Sequence, residues 1–198
     1  MESSLCIICD LKADNSIISD LPMCKPCFDS QNIISSNLEN QRTIFFPEIN
    51  QITEQLFLGN RDASYDSSIL DKHGIQTIFI AGEELKESFP GKYKYYKYDI
   101  KDSEKENCIS YFKTFCITCD EENKKENNVF IHCSAGVSRS SSLVISYIIY
   151  SMKKSFEEAY DWVKSKRPCI KPNKSFIKQL KVFEKESLSE SDSKNKEV

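Results

Sequence analysis

The 198-residue sequence contains no apolar run that approaches the roughly 20 residues needed to cross a bilayer. Its first residues, Met1-Glu2-Ser3-Ser4, lack the basic and apolar regions of a secretory leader. Positive charge is not in excess either, because the formal net charge is −3, and this argues against nucleic acid as the main partner. No lipid-anchor motif or internal repeat is present. We therefore expect a soluble globular protein with neither a membrane nor a nucleic-acid partner.

Nine cysteines would suit a secreted, disulfide-bonded protein, but their number is odd and their distribution is clustered. Four of them lie in two Cys-x2-Cys pairs near the amino terminus, and another, Cys133, follows an apolar segment. A reactive thiol of the kind inferred below needs a reducing compartment. The expected location is the cytoplasm, with the nucleus as the alternative.

Composition divides the chain into four segments. Residues 1–30 hold four cysteines and little else that could form a core, and residues 31–45, rich in Asn, Ser and Gln, are typical of a linker. Residues 46–187 alternate strand and helix patterns, which predicts an α/β catalytic domain. Residues 188–198 are polar and without aromatics, so we expect a disordered tail.

Within the α/β segment, the hydrophobic pattern predicts four strands and five helices. The strands are expected near Gln51–Leu58, Gln76–Ala81, Tyr93–Tyr98 and Asn128–His132. The helices are expected near Ser64–Lys72, Ile109–Asn123, Arg139–Met152, Phe156–Lys166 and Lys174–Ser187. Ser155 with Glu158 has the form of a capping box, and Asn173 after Pro172 has that of an N-cap. We expect Trp162 in the core.

The most informative segment runs from Val129 to Leu143 and reads VFIHCSAGVSRSSSL. Cys133 ends an apolar run, five small residues follow, and Arg139 opens an apolar helical pattern. Small side chains let successive backbone N–H groups curl around one point, at which the new helix also directs its positive dipole end. The guanidinium adds a planar fork for two oxygens of a tetrahedral oxyanion. The segment therefore predicts a phosphate cradle beside a thiol whose anionic form is favoured, as in a phosphatase.

The cradle is expected to use the backbone N–H groups of Ser134, Ala135, Gly136, Val137, Ser138 and Arg139. The alternative for Cys133 is an inert structural cysteine in a strand-to-helix turn, and Cys-x5-Arg alone would be a weak pattern. The full pattern is much more specific than that. It combines an apolar strand, His132 before Cys133, a central Gly136, Arg139 and an apolar helix.

These residues resemble those of the cysteine-dependent dual-specificity protein phosphatases. Ile52–Asn60 is similar to the opening strand of that family, Ile69–Ile78 to its first helix and second strand, and Ile170–Leu180 to its closing helix. The likeness runs from about Phe46 to Glu186. It implies a three-layer α/β/α fold with a mostly parallel central sheet, and an active site at the carboxyl ends of the strands. It also implies hydrolysis through a phosphocysteine, with no cofactor for catalysis.

The resemblance assigns roles to the residues around the cradle. Cys133 is the nucleophile, Arg139 binds the phosphate, and Ser140 hydrogen-bonds the returning thiolate; the alternative for Ser140 is an ordinary serine of a first helical turn. Asp102 occupies the position of the general acid, with Asp99 as its rival. Glu104 and Glu106 are weaker alternatives for the acid.

Two further residues are expected to support the cradle rather than to react. His132 would orient the cysteine loop by hydrogen bonding, with proton transfer as the less favoured role. Asn173 is first an N-cap, and in similar proteins its segment also buttresses the catalytic loop.

The predicted substrate is a phosphoprotein. The domain has only about 140 residues, without the extra segment that deepens the phosphotyrosine slot of larger tyrosine phosphatases. A shallow cradle would accept phosphotyrosine and phosphoserine or phosphothreonine. A phosphoinositide is less favoured, because the loop carries no lysine. The other alternative is a phosphoprotein-binding scaffold (a pseudophosphatase) with little turnover.

The amino-terminal cysteines are spaced as C-x2-C-x14-C-x2-C, close to a zinc-ribbon or treble-clef pattern. We expect Cys6, Cys9, Cys24 and Cys27 to bind one structural Zn²⁺, whose binding energy would fold this small zinc-binding module. The alternatives are a disordered arm or redox-active pairs. Partner recruitment or stabilisation is the expected use of the module.

The other cysteines are expected to be unreactive. Cys116 and Cys119 share helical spacing with Phe112, which is typical of a buried stripe. Cys108 and Cys169 are candidates for a protective disulfide with the nucleophile under oxidation.

Overall fold

The computed structural model describes residues 16–18, 21–23 and 47–194, with side chains for residues 47–187. The chain separates into two compact units, Met1–Phe46 and Pro47–Val198. In the first unit, strands β1 (Ser16–Ile18) and β2 (Leu21–Met23) pair in an antiparallel hairpin. The zinc ligands predicted at Cys6, Cys9, Cys24 and Cys27 lie outside the described residues, as does the predicted linker over 31–45.

The second unit is built on a five-stranded mixed sheet. Its strands are β3 (Ile49–Gln51), β4 (Leu56–Gly59), β5 (Ile75–Ala81), β6 (Lys94–Tyr98) and β7 (Asn128–His132). Their order across the sheet is β3-β4-β7-β5-β6, and only the edge strand β3 runs antiparallel to its neighbour. The predicted α/β class and the mostly parallel central sheet are therefore confirmed.

Helices cover both faces of this sheet. They are α1 (Arg61–Ser64), α2 (Ser67–Lys72), α3 (Ile109–Lys124), α4 (Arg139–Met152), α5 (Phe156–Lys166) and α6 (Lys174–Lys194). Because side chains alternate between the faces of a strand, Ile131 packs in a core with α3–α6, while Phe130 packs in a second core with Leu70 of α2. Among the described residues, no helix is both long and apolar enough to span a bilayer.

Two boundaries differ from the sequence prediction. The single strand predicted over Gln51–Leu58 is a hairpin, because the chain turns between β3 and β4 and Ile52 N donates to Leu56 O at 2.8 Å. The closing helix α6 continues to Lys194, past the boundary predicted at 187, since no proline or glycine interrupts this segment. Residues 195–198 of the predicted tail lie outside the described residues.

The core position predicted for Trp162 is wrong. The residue is 37% exposed at the edge of α5, where its indole Nε1 donates to Ile52 O at 3.1 Å. Lys154 and Lys166 lie over the ring, with their Nζ atoms 5.9 and 5.7 Å from its centroid. The indole therefore covers the hairpin turn, and its N–H is paired with a carbonyl that a purely apolar core would not supply.

A buried carboxylate, that of Glu122 in α3, lies near the amino-terminal ends of strands β5 and β6. Five side-chain donors converge on it. They are Thr77 Oγ1, Lys94 Nζ, Tyr96 OH, Lys125 Nζ and Asn127 Nδ2, at 2.8, 2.8, 3.3, 3.1 and 2.9 Å respectively. Burial alone would raise the pKa of Glu122, but these donors outweigh it and lower the pKa to about 2. Charged Glu122 thus joins α3 to β5 and β6.

Candidate active site

The loop from Cys133 to Ser138 lies at the carboxyl end of the central strand β7. His132, the last residue of β7, pairs with Gly59 of β4 on one side and with Ile80 of β5 on the other. Helix α4 begins immediately after the loop, at Arg139. The loop therefore occupies the edge of the sheet where open α/β folds bind ligands, with the positive end of a helix dipole directed at it.

The backbone carbonyls of the loop point away from its centre. The five carbonyls from Ser134 to Ser138 each accept a hydrogen bond from outside the loop. In order, the donors are Arg61 N (3.0 Å), Arg167 Nη2 (3.0 Å), Arg167 Nε (2.9 Å), Lys171 N (2.8 Å) and Ser142 N (3.0 Å). Because a trans peptide directs its N–H opposite to its C=O, the N–H groups of residues 135–139 turn toward the centre of the loop. This arrangement is an anion-binding nest.

Only glycine fits the midpoint of the loop. Gly136 has φ +68°, and a Cβ at this position would lie 2.3 Å from Gly59 O. The left-handed backbone and the close approach to β4 therefore exclude any larger residue.

Cys133 is buried at the base of the nest. Its Sγ accepts hydrogen bonds from Ser140 Oγ at 3.2 Å and from Gly136 N at 3.3 Å. One donor comes from the first turn of α4 and the other from the loop itself. The structure thus brings the predicted cysteine and the predicted serine into direct contact.

Arg139 is 8% exposed, and its guanidinium contacts Ser134, the residue that follows Cys133 in the loop. Nη1 donates to Glu84 Oε1 at 2.6 Å and to Ile100 O at 3.5 Å, and Nη2 donates to Ser134 Oγ at 3.0 Å. Within the described part of the chain, its buried Nε has no hydrogen-bond partner. A buried, unpartnered donor beside a nest of N–H groups is what an anion-binding site requires.

Of the two aspartates considered for the acid, the structure brings Asp102 to the loop. Its Oδ1 accepts hydrogen bonds from Ser138 Oγ at 2.8 Å and from Asn173 Nδ2 at 2.9 Å. Asp99 is exposed and pairs instead with Lys97, with 3.1 Å between Oδ1 and Nζ. The loop that contains Asp102 is therefore joined to the phosphate cradle by the hydrogen bonds of this aspartate.

His132 is fully buried behind the loop. Its Nδ1 lies 3.3 Å from Cys133 O, and its ring stacks on Phe130 with 5.5 Å between centroids. Burial lowers the pKa of His132 to about 4, so the imidazole is neutral at pH 7. The geometry suits a residue that holds the cysteine backbone.

Asn173 connects three parts of the site. Its Oδ1 accepts from Phe176 N at 2.9 Å, which confirms the predicted N-cap of α6. Its Nδ2 binds Asp102, and its backbone N donates to Ser138 Oγ at 3.2 Å. The start of α6 therefore holds both the loop that contains Asp102 and the end of the phosphate loop.

Sequence reasoning missed Arg167, the fully buried arginine that binds Ala135 O and Gly136 O. Its remaining donors bind Asn50 Oδ1 at 2.7 Å and Glu48 Oε2 at 2.9 Å, so all of its charge is matched inside the fold. Arg167 caps the carboxyl end of α5, just beyond the helix itself, and no local pattern in the sequence marks it as buried. A buried charged residue needs buried acceptors, and these acceptors come from distant segments of the chain.

The remaining cysteines of the second unit are free thiols. Cys116 and Cys119 are buried in the core, as their helical spacing predicts. Burial raises the pKa of Cys108 to about 12, which makes its thiol a poor partner in disulfide exchange. In the described residues, no group of three or more His, Cys, Asp or Glu side chains could hold a metal ion.

Comparison with known proteins agrees with this geometry. Residues 56–186 match the family model of the dual specificity phosphatase catalytic domain. The chain is 34% identical over 143 residues to human dual specificity protein phosphatase 14, covering 72% of each chain. It is 33% identical over 133 residues to the Drosophila melanogaster protein phosphatase Slingshot, covering 67% of this chain and 13% of that protein.

Solved structures agree as well. The human tyrosine phosphatase-like serine/threonine/tyrosine-interacting protein superposes with a TM-score of 0.68 at 33% identity, over 71% of this chain and 97% of that one. Several curated relatives are much longer than the matched region: the chain spans 13%, 19% and 34% of three of them. For these three relatives, the likeness is therefore to one domain rather than to the whole protein.

Proposed function

The chain belongs to the dual specificity phosphatase family, and on that premise we propose that it hydrolyses phosphoproteins through a phosphocysteine intermediate. The observation that carries this proposal is the arrangement of Cys133 in its loop. Its Sγ accepts hydrogen bonds from Gly136 N and Ser140 Oγ, the carbonyls of the loop point outward, and the buried Nε of Arg139, which follows the loop, has no hydrogen-bond partner among the described residues. A nucleophile at the base of an oxyanion cradle suits phosphoryl transfer, in which positioning and charge stabilisation supply most of the catalysis.

In the first step, the thiolate of Cys133 attacks phosphorus while the bond from phosphorus to the substrate oxygen breaks. Asp102 gives its proton to that leaving oxygen. The three equatorial oxygens of the transferred group carry the developing charge, which the loop N–H groups and Arg139 stabilise. The product of this step is a phosphocysteine and a dephosphorylated side chain.

In the second step, water attacks the phosphocysteine and Asp102, now ionised, accepts its proton. The sulfur leaves as a thiolate that receives hydrogen bonds from Ser140 Oγ and Gly136 N. Inorganic phosphate is released, and the site returns to its starting state. In this mechanism, the role of Ser140 is therefore to stabilise the departing thiolate by a hydrogen bond.

The substrate class rests on the loop. The small side chains from Ser134 to Ser138 build no wall around the nest, which supports phosphotyrosine together with phosphoserine and phosphothreonine as substrates. A phosphoinositide carries additional phosphates, and the segment from Ser134 to Ser138 contains no cation to meet them. We therefore favour a protein substrate over a lipid.

The test compares the wild type with Cys133→Ser on an aryl phosphate and on phosphotyrosyl and phosphothreonyl peptides. We expect hydrolysis by the wild type and its loss in the variant, because an alcohol at this position is a far weaker nucleophile than a thiolate. Equal rates for the two proteins would refute cysteine catalysis. Arg139→Lys should also be severely impaired, because a point charge cannot replace a bidentate fork.

A scaffold is the second candidate, since one similar solved protein carries the description phosphatase-like and interacting. Binding of phosphopeptides by the wild type without turnover would favour this candidate. The presence of Asp102, Cys133, Arg139 and Ser140 together supports an enzyme instead.

For the amino-terminal unit, we propose that Cys6, Cys9, Cys24 and Cys27 bind one structural Zn²⁺, which would make residues 1–30 a partner-binding or stabilising module. The support is the spacing of the cysteines. Native mass spectrometry of protein purified reduced and without chelators should show one zinc, lost on acidification. The mass of the bare polypeptide would refute this proposal. The cytoplasm, or the nucleus, remains the proposed location, because it keeps these thiols reduced.

A further inference from the structure

A row of lysines occupies the solvent-facing side of the closing helix α6. Its members follow one another at intervals of four, three and four residues, so they lie on one line along the helix. They are Lys174, Lys178, Lys181 and Lys185, all of them exposed, and we call them the lysine stripe. Resting on the proposed phosphatase function, we propose that the lysine stripe binds an acidic segment of the phosphoprotein substrate.

Neither the packing nor the stability of α6 explains the lysine stripe. Phe176, Leu180 and Phe183 form the buried face of the helix, about half a turn away from the lysines. Lysines three or four residues apart repel one another, and Lys174 lies in the first turn, where the helix dipole disfavours a cation. The stripe therefore costs stability, which points to a role outside the fold.

Neighbouring acids compensate only one of these charges. Lys181 pairs with Glu157 of α5 at 2.6 Å between Nζ and Oε1, and the two side chains are 50% and 64% exposed. Such an exposed pair is weak, so Lys181 can exchange Glu157 for another carboxylate at little cost. The other three lysines form no ion pair with any residue whose side chain the structure describes. The stripe therefore presents its positive charge to solvent.

The stripe begins beside the proposed active site. Lys174 directly follows Asn173, whose Nδ2 donates to Asp102 Oδ1 at 2.9 Å and whose N donates to Ser138 Oγ at 3.2 Å. From Lys174 to Lys185 the stripe extends roughly 16 Å, given the rise of an α-helix per residue. An extended peptide covers this distance with about five residues. A substrate whose phosphate lies in the cradle can therefore continue along α6 with a short acidic segment.

The form of the stripe favours a peptide over a membrane. A single row of charges on one helix matches a single extended chain, whereas a bilayer contacts a broader surface. Beside the row, Glu184 and Glu186 of α6 and Glu157 of α5 carry negative charge, which an anionic bilayer would repel. The partner that matches the stripe is therefore an acidic segment of a protein.

The experiment compares two phosphotyrosyl peptides that differ only in a five-residue run, glutamate in one and glutamine in the other, placed on either side of the phosphotyrosine. We expect the full chain to hydrolyse the glutamate peptide with a kcat/KM on the order of tenfold higher at low ionic strength, because several weak surface ion pairs add up to such a factor. High salt should reduce this preference, since it screens exposed charges. The stripe variant, which combines Lys174→Gln, Lys178→Gln and Lys185→Gln, should lose the preference.

Controls separate docking from folding and from catalysis. The control variant combines Lys72→Gln, Lys124→Gln and Lys166→Gln, which removes the same charge from exposed positions on α2, α3 and α5. It should keep the peptide preference. The stripe variant should retain the wild-type kcat/KM on a small aryl phosphate, which has no acidic segment to meet the stripe. Its Tm should not be lower than that of the wild type, because glutamine has a helix propensity similar to that of lysine and the repulsion is relieved.

Two results would overturn the proposal: equal kcat/KM for both peptides in the wild type, or a preference that persists in the stripe variant. Phosphatidylserine vesicles that bind the wild type but not the stripe variant, without any peptide preference, would assign the stripe to a membrane instead. If the wild type hydrolyses neither the peptides nor the aryl phosphate, the phosphatase function fails. Fluorescence anisotropy of the labelled glutamate peptide with the wild type and the stripe variant then still decides whether the stripe binds an acidic segment.

Discussion

Replacement of Arg167 by methionine tests how the phosphate loop keeps its carbonyls turned outward. The substitution preserves most of the side-chain length but removes the donors to Ala135 O, Gly136 O, Asn50 Oδ1 and Glu48 Oε2. Two loop carbonyls then lose a buried partner, and the peptide planes that present the inward N–H groups lose their restraint.

The magnitude follows from the burial of Arg167. Removing one partner of a buried charged network costs about 3–5 kcal/mol, because the groups left behind lose their hydrogen bonds without regaining water. Glu48, whose side chain is 52% exposed, is the partner that water can reach most easily. We therefore expect the free energy of unfolding to fall by about 3 kcal/mol or more. We also expect a loss of kcat/KM on the order of a hundredfold at temperatures where the variant is folded, because the loop donors act in the transition state.

Urea unfolding gives the free-energy change, provided that the m-value matches the wild type. Aryl phosphate hydrolysis below the unfolding transition gives kcat/KM. Lys166→Met is the matched control. Lys166 is the exposed last residue of α5, directly before Arg167, so this variant should lose little stability or activity. The reasoning is refuted if Arg167→Met is destabilised as expected and yet retains the wild-type kcat/KM, since the loop would then keep its form without the arginine.

Two other predictions concern the acid and the sheet. Asp102→Asn should slow phenyl phosphate far more than p-nitrophenyl phosphate, whose leaving group needs no proton; the same selectivity in Asp99→Asn but not in Asp102→Asn would reassign the acid. Glu122→Gln should lower the free energy of unfolding at pH 7 by about 3 kcal/mol, because the folded-state pKa of Glu122 is about 2 rather than 4.5. That contribution is fully present above pH 4.5 and is lost as the pH falls toward 2. The free energies of unfolding of the wild type and of Glu122→Gln, measured with urea, should therefore converge on acidification. A difference that stays constant with pH would contradict this prediction.

The parts of the site that could be predicted from the sequence are those carried by one continuous segment. The strand, the small residues, Arg139 and the helix that follows lie within residues 129–152, so their chemistry and their order together specify the cradle. Asp102 is distant in sequence, and its position came from resemblance alone. The structure adds the physical link, since Ser138 and Asn173 both bind its carboxylate.

Glu84 and Arg167 were beyond prediction for a different reason. Each acts through partners 31 to 119 residues away along the chain, as in the pairs Arg167–Gly136 and Arg167–Glu48. Local propensity and periodicity contain no information about such pairs. The core position predicted for Trp162 was wrong for the same reason, because the acceptor for its indole N–H is a carbonyl of the β3–β4 turn, 110 residues earlier.

The protonation states of the site follow from these contacts. His132 is buried between Phe130 and the cysteine backbone with a pKa of about 4, so it stays neutral from pH 5 upward and exchanges no proton near neutrality. Arg139 keeps its charge at any physiological pH. Within the proposed mechanism, the group that gives and takes a proton is therefore Asp102, because Cys133 both attacks and leaves as a thiolate. Asn173 and Ser138 join Asp102 to the loop that holds Cys133, so hydrogen bonds keep the proposed proton donor close to the proposed nucleophile.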